Sequence, residues 1–268
     1  MKPTATSASF SSTQLLTVTG STQTLSGGST SARSVVALNP AFTLGYDAGT
    51  RTYTLHNEER TQTFGSSTFS LEASAPDYFP RVEYHAVAAG TADYLVLFKQ
   101  AAASPAIPTD YAAYGAWQHN DAQAGSTRVR LDYFTYGTPT PVSAMPHSGT
   151  VTYRWSGTGN YAEDSRLYFT SASGTMTVNF ATGEVQTLIN IGGTDFFNGN
   201  FGGLIAPTFN ATISGNMVDG PMAFTAATWT GNAHITFFGP HAENVGIVYS
   251  GTSPFAGTLN GALVGAAP

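Results

Sequence analysis

The segment at residues 231–246 limits the fold of this chain more than any other. Ala233, Ile235 and Phe237 fall on one side of an extended backbone, and His234, Thr236 and Phe238 on the other. A period of two is the signature of a pleated strand and does not suit a helix. Gly239-Pro240 then stops the strand, because proline has no N–H to give to a ladder. The same grammar recurs nearby. Met176, Val178 and Phe180 alternate with Thr175, Thr177 and Asn179. After the turn Ala181-Thr182-Gly183 comes a second β-branched run at 184–191, so the pair reads as a hairpin. Runs at 151–155, 167–170, 208–213, 222–224, 245–249 and 259–263 bring the total to about eight strands at hairpin spacing, the pattern of an all-β barrel or sandwich.

The N-terminal half is also built of strands. Runs at 42–46 and 51–55 flank Asp47-Ala48-Gly49 and predict a hairpin. Further strands are expected at 70–73, 82–87, 94–98, 111–117 and 128–136. In the last of these, Val129, Leu131 and Tyr133 give a dry face, and Arg128, Arg130 and Asp132 a charged one. No segment has a helical period. Residues 1–34 are rich in Ser and Thr and read as a tether or linker. The other reading of that stretch is a strand near 14–18 added to a sheet edge. Pro139, Pro141 and Pro146 crowd one connection, so a boundary is expected near residue 146. The division is 1–34 tether, 35–146 a small β-sheet domain and 147–268 a barrel.

Charge narrows the function. Charged residues make up only 10% of the 268 residues, against an ordinary share of about 25%. Aromatics at 12% separate the chain from disordered sequences. No Lys or Arg follows Arg166, which speaks against nucleic-acid binding or an ion-paired anion in the C-terminal half. With no cysteine, the chain has no disulfides, thiol catalysis, Cys–zinc sites or iron–sulfur clusters. No apolar run is long enough for a membrane helix. No signal-peptide pattern opens the sequence, and a lipid-anchoring cysteine is expected only upstream of Met1.

No nucleophile elbow, His-Glu-x-x-His or P-loop is present, so an enzyme is not expected. Glu58-Glu59 and Glu163-Asp164 are sequence neighbours, which a strand would aim at opposite faces; they read as solvated turn charges. The six histidines show no paired metal-ligand spacing, and no metal site is expected. Haem needs His, Met or Tyr ligands within an aromatic and aliphatic pocket. His119 follows Trp117 by two and would share its side. Met145 and His147 stand in the same relation, and His85 lies beside Tyr84. These six are the candidates for porphyrin contact, and each histidine also suits a structural or surface role. His234 and His241 read as structural. Tyr111, Tyr114 and Trp117, after the bend at 105–108, could grip a sugar, peptide or protein, or pack a sheet.

Two sets of motifs carry a resemblance. In the C-terminal half they are Gly149-Thr150-Val151-Thr152-Tyr153, Met176-Thr177-Val178-Asn179-Phe180 with Gly183, and Phe237-Phe238-Gly239-Pro240-His241-Ala242-Glu243-Asn244-Val245-Gly246. In the N-terminal half they are residues 46–55, Tyr111-Ala112-Ala113-Tyr114-Gly115-Ala116-Trp117, and Met145-Pro146-His147-Ser148-Gly149. Over about residues 35–264 the chain resembles the transferrin-binding-protein-B-like surface lipoproteins of Gram-negative bacteria, including their solute-binding members. It departs at Asn244, Ile247 and His147, where the family often has Glu, Gly and Thr. The resemblance implies a handle sheet followed by an eight-stranded antiparallel barrel. It implies a non-enzymatic binding protein, lipid-anchored at the outer-membrane surface or secreted. Such a protein captures a nutrient, with haem or an iron source leading, and passes it to a TonB-dependent receptor. The alternative is an adhesion or structural module for protein or glycan partners. An eight-stranded barrel is expected to be filled by its own side chains, which leaves rim loops or the handle–barrel seam for a ligand.

Overall fold

The computed structural model describes residues 14–26, 33–36, 41–73, 81–98, 109–123, 126–163, 166–195, 201–224, 228–253 and 257–267. The tether reading at 1–13 and the bend at 105–108 lie outside them. The first sheet holds β1 (Gln14–Ser26), β2 (Arg33–Val36), β3 (Thr43–Asp47), β4 (Thr52–His56), β5 (Thr61–Phe64), β6 (Phe69–Ala73), β7 (Arg81–Ala88), β8 (Thr91–Phe98), β9 (Ala112–Gln123) and β10 (Ser126–Gly137). Its order is β5-β4-β3-β1-β10-β9-β8-β7-β6, with β2 on β1. This is the handle expected from sequence, with ten strands among the described residues.

Local chemistry sets the hairpins. Asp47 Oδ1 accepts from the N–H groups of Gly49 (2.8 Å) and Thr50 (3.2 Å), the Asx turn that joins β3 to β4. The sheet rolls until β5 lies against β7. Leu44, Leu55, Phe64, Leu95, Trp117 and Phe134 fill the inside of the roll. The stretch expected as a tether supplies β1, which sits between β3 and β10 in mid-sheet rather than at an edge. A Ser/Thr-rich composition does not distinguish a linker from a strand, because threonine is β-branched and packs well on a pleated surface.

The second sheet holds β11 (Thr150–Glu163), β12 (Arg166–Asn179), β13 (Glu184–Asp195), β14 (Phe201–Ile205), β15 (Thr208–Thr212), β16 (Met217–Ala223), β17 (Thr230–Phe238), β18 (Asn244–Ser253) and β19 (Gly257–Ala266). Its order is β12-β11-β19-β18-β17-β16-β15-β13-β14, and the pairing of β12 with β13 closes a ring of eight antiparallel strands, with β14 hanging on β13. The apolar runs at 167–170 and 176–179 prove to be two parts of one strand, β12. Tyr153, Trp155, Met176, Ile189, Phe237 and Leu263 pack inside the barrel with Tyr249.

The two units share a third core. β18 and β19 are buried almost throughout. Their inner face fills the barrel. Their outer residues Val248, Ala262 and Val264 join Phe238 against Phe98, Tyr114 and Tyr133 of the handle. The segment after β17 is the joint. Phe237 lies inside the barrel against Tyr153 and Phe180, and Phe238 lies outside in the seam. Gly239 has φ +92°, and a Cβ there would stand 2.8 Å from the Tyr111 ring. Gly239 N–H donates to Thr138 O at 2.8 Å, Thr140 N–H to Phe237 O at 2.9 Å, and Tyr111 N–H to Asn244 Oδ1 at 2.8 Å. The closing motif therefore ties handle to barrel.

Gly246 tests this packing. A Cβ there would lie 2.8 Å from both the Phe238 ring and the Thr135 side chain. Gly246→Val should lower stability by about 1–3 kcal/mol, the usual cost of overpacking a core. An unchanged urea midpoint would show that the seam is loose.

Candidate functional site

The outer face of the handle sheet is laid out in rows by strand register. His85, Tyr94, Gln118 and Leu131 form one row; Val96, Ala116 and Tyr133 form the next. Phe98 and Tyr114 begin the third. The third row closes on the barrel. Tyr133, Val96 and Ala116 of the second row also pack on that shared core, and toward the first row the two surfaces part. A half-open cleft of about 180 Å³ results, walled on the barrel side by Asn160 and Phe169, which face each other across β11 and β12.

The cleft is aromatic, with a few polar groups and no charged residue in its lining. Asn160 is 7% exposed, and its side-chain amide, which makes no hydrogen bond among the described residues, opens onto the cleft. Tyr133 is 3% exposed, and its hydroxyl likewise makes none. Burial, with help from the nearby Tyr249 and Tyr114, pushes the Tyr133 phenol well above its ordinary value, so it stays a neutral donor. Gln118 uses Nε2 to donate to Asn120 Oδ1 at 2.9 Å, which leaves its carbonyl oxygen as an acceptor. This arrangement can hold a flat apolar group and satisfy hydrogen bonds at its edge. It offers no group that titrates near neutrality for proton transfer.

The six residues singled out for haem do not converge. Trp117 and His119 do share a side, inside the handle roll, but both serve a buried polar network. Trp117 Nε1–H donates to Asp93 Oδ1 at 2.9 Å. His119 meets Asp93 through Nδ1 at 3.0 Å and Asp121 through Nε2 at 2.7 Å. The Arg60 guanidinium lies against the same ring and pairs with Asp93 at 3.0 Å. Both ring nitrogens of His119 are thus engaged. Tyr84 is half-buried inside the roll beside Tyr53, Phe64 and Phe69. Met145 is buried in the barrel core. His147 is exposed on the connection between the units. His85 has 39% of its side chain exposed. Its ring packs edge-on against Tyr94 with centroids 4.9 Å apart, which puts it beside the cleft. His234 is buried against Asp219, and His241 is exposed. In the aromatic trio, Tyr114 lies in the seam core with Tyr111 packed against it, and Trp117 lies inside the roll, so the three form no common surface.

The charged face of β10 is not a solvent face. Arg130 and Asp132 are both buried. Arg130 pairs with Asp132 at 3.2 Å, Glu58 at 2.9 Å and Glu59 at 3.0 Å. Asn57 Nδ2 donates to Asp132 Oδ2 at 3.0 Å and fixes the β4–β5 turn on the end of the roll. Sequence reasoning missed this network because its members are far apart in the chain. The run of three ionic residues on one side of β10 was the available signal. Among the described residues, no cluster of three or more His, Asp or Glu could hold a metal ion.

Two outcomes follow. Asp93 is buried between Trp117, His119 and Arg60, so Asp93→Ala should cost about 3 kcal/mol, near the lower end for breaking a buried pair, because Arg60 keeps some solvent contact. Stability unchanged within error in urea unfolding would contradict the network. The hydrogen bond from Arg128, with the charge of Arg130, holds the Glu59 carboxyl below its ordinary 4.5. Its charged form favours the fold, so this contribution is present above pH 4.5 and fades as pH falls through the lowered value. Glu59→Gln should therefore flatten the acid limb of a stability–pH curve, and an unaltered limb would count against the pairing.

No protein-family model matches the chain, and no curated protein does. Among solved structures it is similar to a mutant of transferrin binding protein B from Haemophilus parasuis, at 14% identity over 86% of this chain and 54% of that one, with a TM-score of 0.48. It is similar to the isotype 1 transferrin binding protein B of serogroup B Neisseria meningitidis, at 13% identity over 87% and 53%, TM-score 0.43. It is also similar to the N-lobe of lactoferrin binding protein B from Moraxella bovis, at 9% identity over 69% and 79%, TM-score 0.38. The chain spans about half the length of the two transferrin-binding proteins.

Proposed function

We propose that this chain is a non-enzymatic binding protein of the Gram-negative cell surface, lipid-anchored or secreted, that captures an iron source and passes it to a TonB-dependent outer-membrane receptor. The observation that carries the reading is the joint between the units. The Phe237–Gly246 motif, which resembles that of the surface lipoproteins, is what locks a rolled handle sheet onto a filled eight-stranded barrel. Haem is the leading cargo, alone or on an iron-carrying protein. Of the six residues singled out for it, His85 and His147 present their rings to solvent, and His85 has an aromatic neighbour in Tyr94. Of those six, these two hold the imidazoles within reach of a ferric porphyrin. His119, enclosed by two carboxylates and an arginine, serves the fold.

The alternative reading is an adhesion or structural module for protein or glycan partners. It draws on Phe69 and Leu71, large apolar side chains exposed on the edge strand β6. Edge strands with exposed apolar residues are ready templates for another chain.

Haemin titration followed by visible absorption separates the two. A saturable, sharpened Soret band, weakened at least tenfold in affinity by His85→Ala or His147→Ala and retained in a folded His119→Gln variant, is the expected result. A featureless titration would remove haem as cargo.

A further inference from the structure

We infer that the handle–barrel cleft is a binding site for a small neutral planar ligand: one ring or two fused rings carrying a hydrogen-bond donor and acceptor on one edge. This rests on reading the chain as a binding protein, but not on haem as its cargo. Size comes first. At about 180 Å³ the cleft is below the roughly 300–1,000 Å³ of sites that enclose drug-sized molecules. It has room for a nucleobase or an indole, not for a porphyrin.

Charge comes second. The lining has no cation, so a carboxylate or phosphate would be desolvated there without a partner. A charged amine would fare no better, because no carboxylate lines the cleft. The ligand is therefore neutral.

Hydrogen bonding comes third. Buried polar groups in folded proteins are nearly always paired. Asn160 and Tyr133 line the cleft together, both residues more than nine-tenths buried, with side-chain polar atoms that make no hydrogen bond among the described residues and open onto the cleft. Tyr133 offers a donor that burial keeps protonated. Asn160 offers a donor and an acceptor, and Gln118 a second acceptor. Tyr94, Phe98 and Phe169 supply the faces on which a flat ring can lie. Ala116 lines the cleft beside them. Among the described residues, no hydrogen bond uses Asn160 or Tyr133 side-chain atoms, which leaves those atoms for a guest.

The test uses the full chain labelled with ¹⁵N and titrated with adenine, uracil and indole, with benzoate as the anionic comparison. The side-chain amide resonances of Asn160 and Gln118 should shift saturably with at least one neutral ring. The apparent Kd should rise at least tenfold in Asn160→Leu and in Ala116→Leu, which removes the amide or fills the cleft. Benzoate should bind at least tenfold more weakly than the best neutral ring. Absence of a saturable shift with all three neutral rings would overturn the inference. So would binding unchanged in both variants, or benzoate binding as tightly. The readout is Asn160, not a Soret band, so failure here and failure of the haem reading are separate results.

Discussion

The structure depends on the seam where the outside of one barrel is also the inside of a larger core. Val248, Ala262 and Val264 point away from the barrel interior, yet they are buried, because Phe98, Tyr114 and Tyr133 of the handle lie on them. Apolar surface of that kind is not left in water. Strands β18 and β19 thus serve two cores at once. The barrel core needs Ile247, Tyr249 and Leu263; the seam needs the residues between them. The handle can be displaced only by exposing the outer row of β18 and β19. The cleft exists on the same terms. It is the part of the seam where the two surfaces part.

Glycine lets the seam and barrel close. A Cβ on Gly246 would collide with Phe238 and Thr135 in the seam. A Cβ on Gly159 would stand 2.7 Å from the Tyr249 hydroxyl and 2.9 Å from Thr170 Oγ1, in the barrel interior. A large aromatic side chain fits inside eight strands only because the opposing positions have no side chain. At Gly239 the requirement is different. There the backbone must take a left-handed φ, and the Tyr111 ring leaves no space for a Cβ.

Much of this was legible in the chain. The alternation of Ala233, Ile235 and Phe237 with His234, Thr236 and Phe238 gives the inward and outward faces of β17 as the structure has them, and both sides prove to be buried. The run at 245–249, with no polar residue on either side, carried a further message. A strand that is apolar on both sides is covered on both sides, which is how β18 sits under the handle. β1 was hard to see because threonine-rich sequence suits a linker and a strand alike. The buried ionic network was harder still. Arg60, Asp93, His119 and Asp121 are brought together by registers of β8 with β9 and by the roll of the sheet, neither of which composition records. His119 therefore looked like a ligand residue in sequence and is a structural one in place. The cleft left a faint trace in the small residue Ala116 between Tyr114 and Gln118, and its polar groups come from opposite units.

Handle and barrel form one cooperative body through their shared core. Scanning calorimetry tests it directly. A single transition, with calorimetric and van't Hoff enthalpies in agreement, is the predicted result. Two separable transitions, one for each unit, would contradict it.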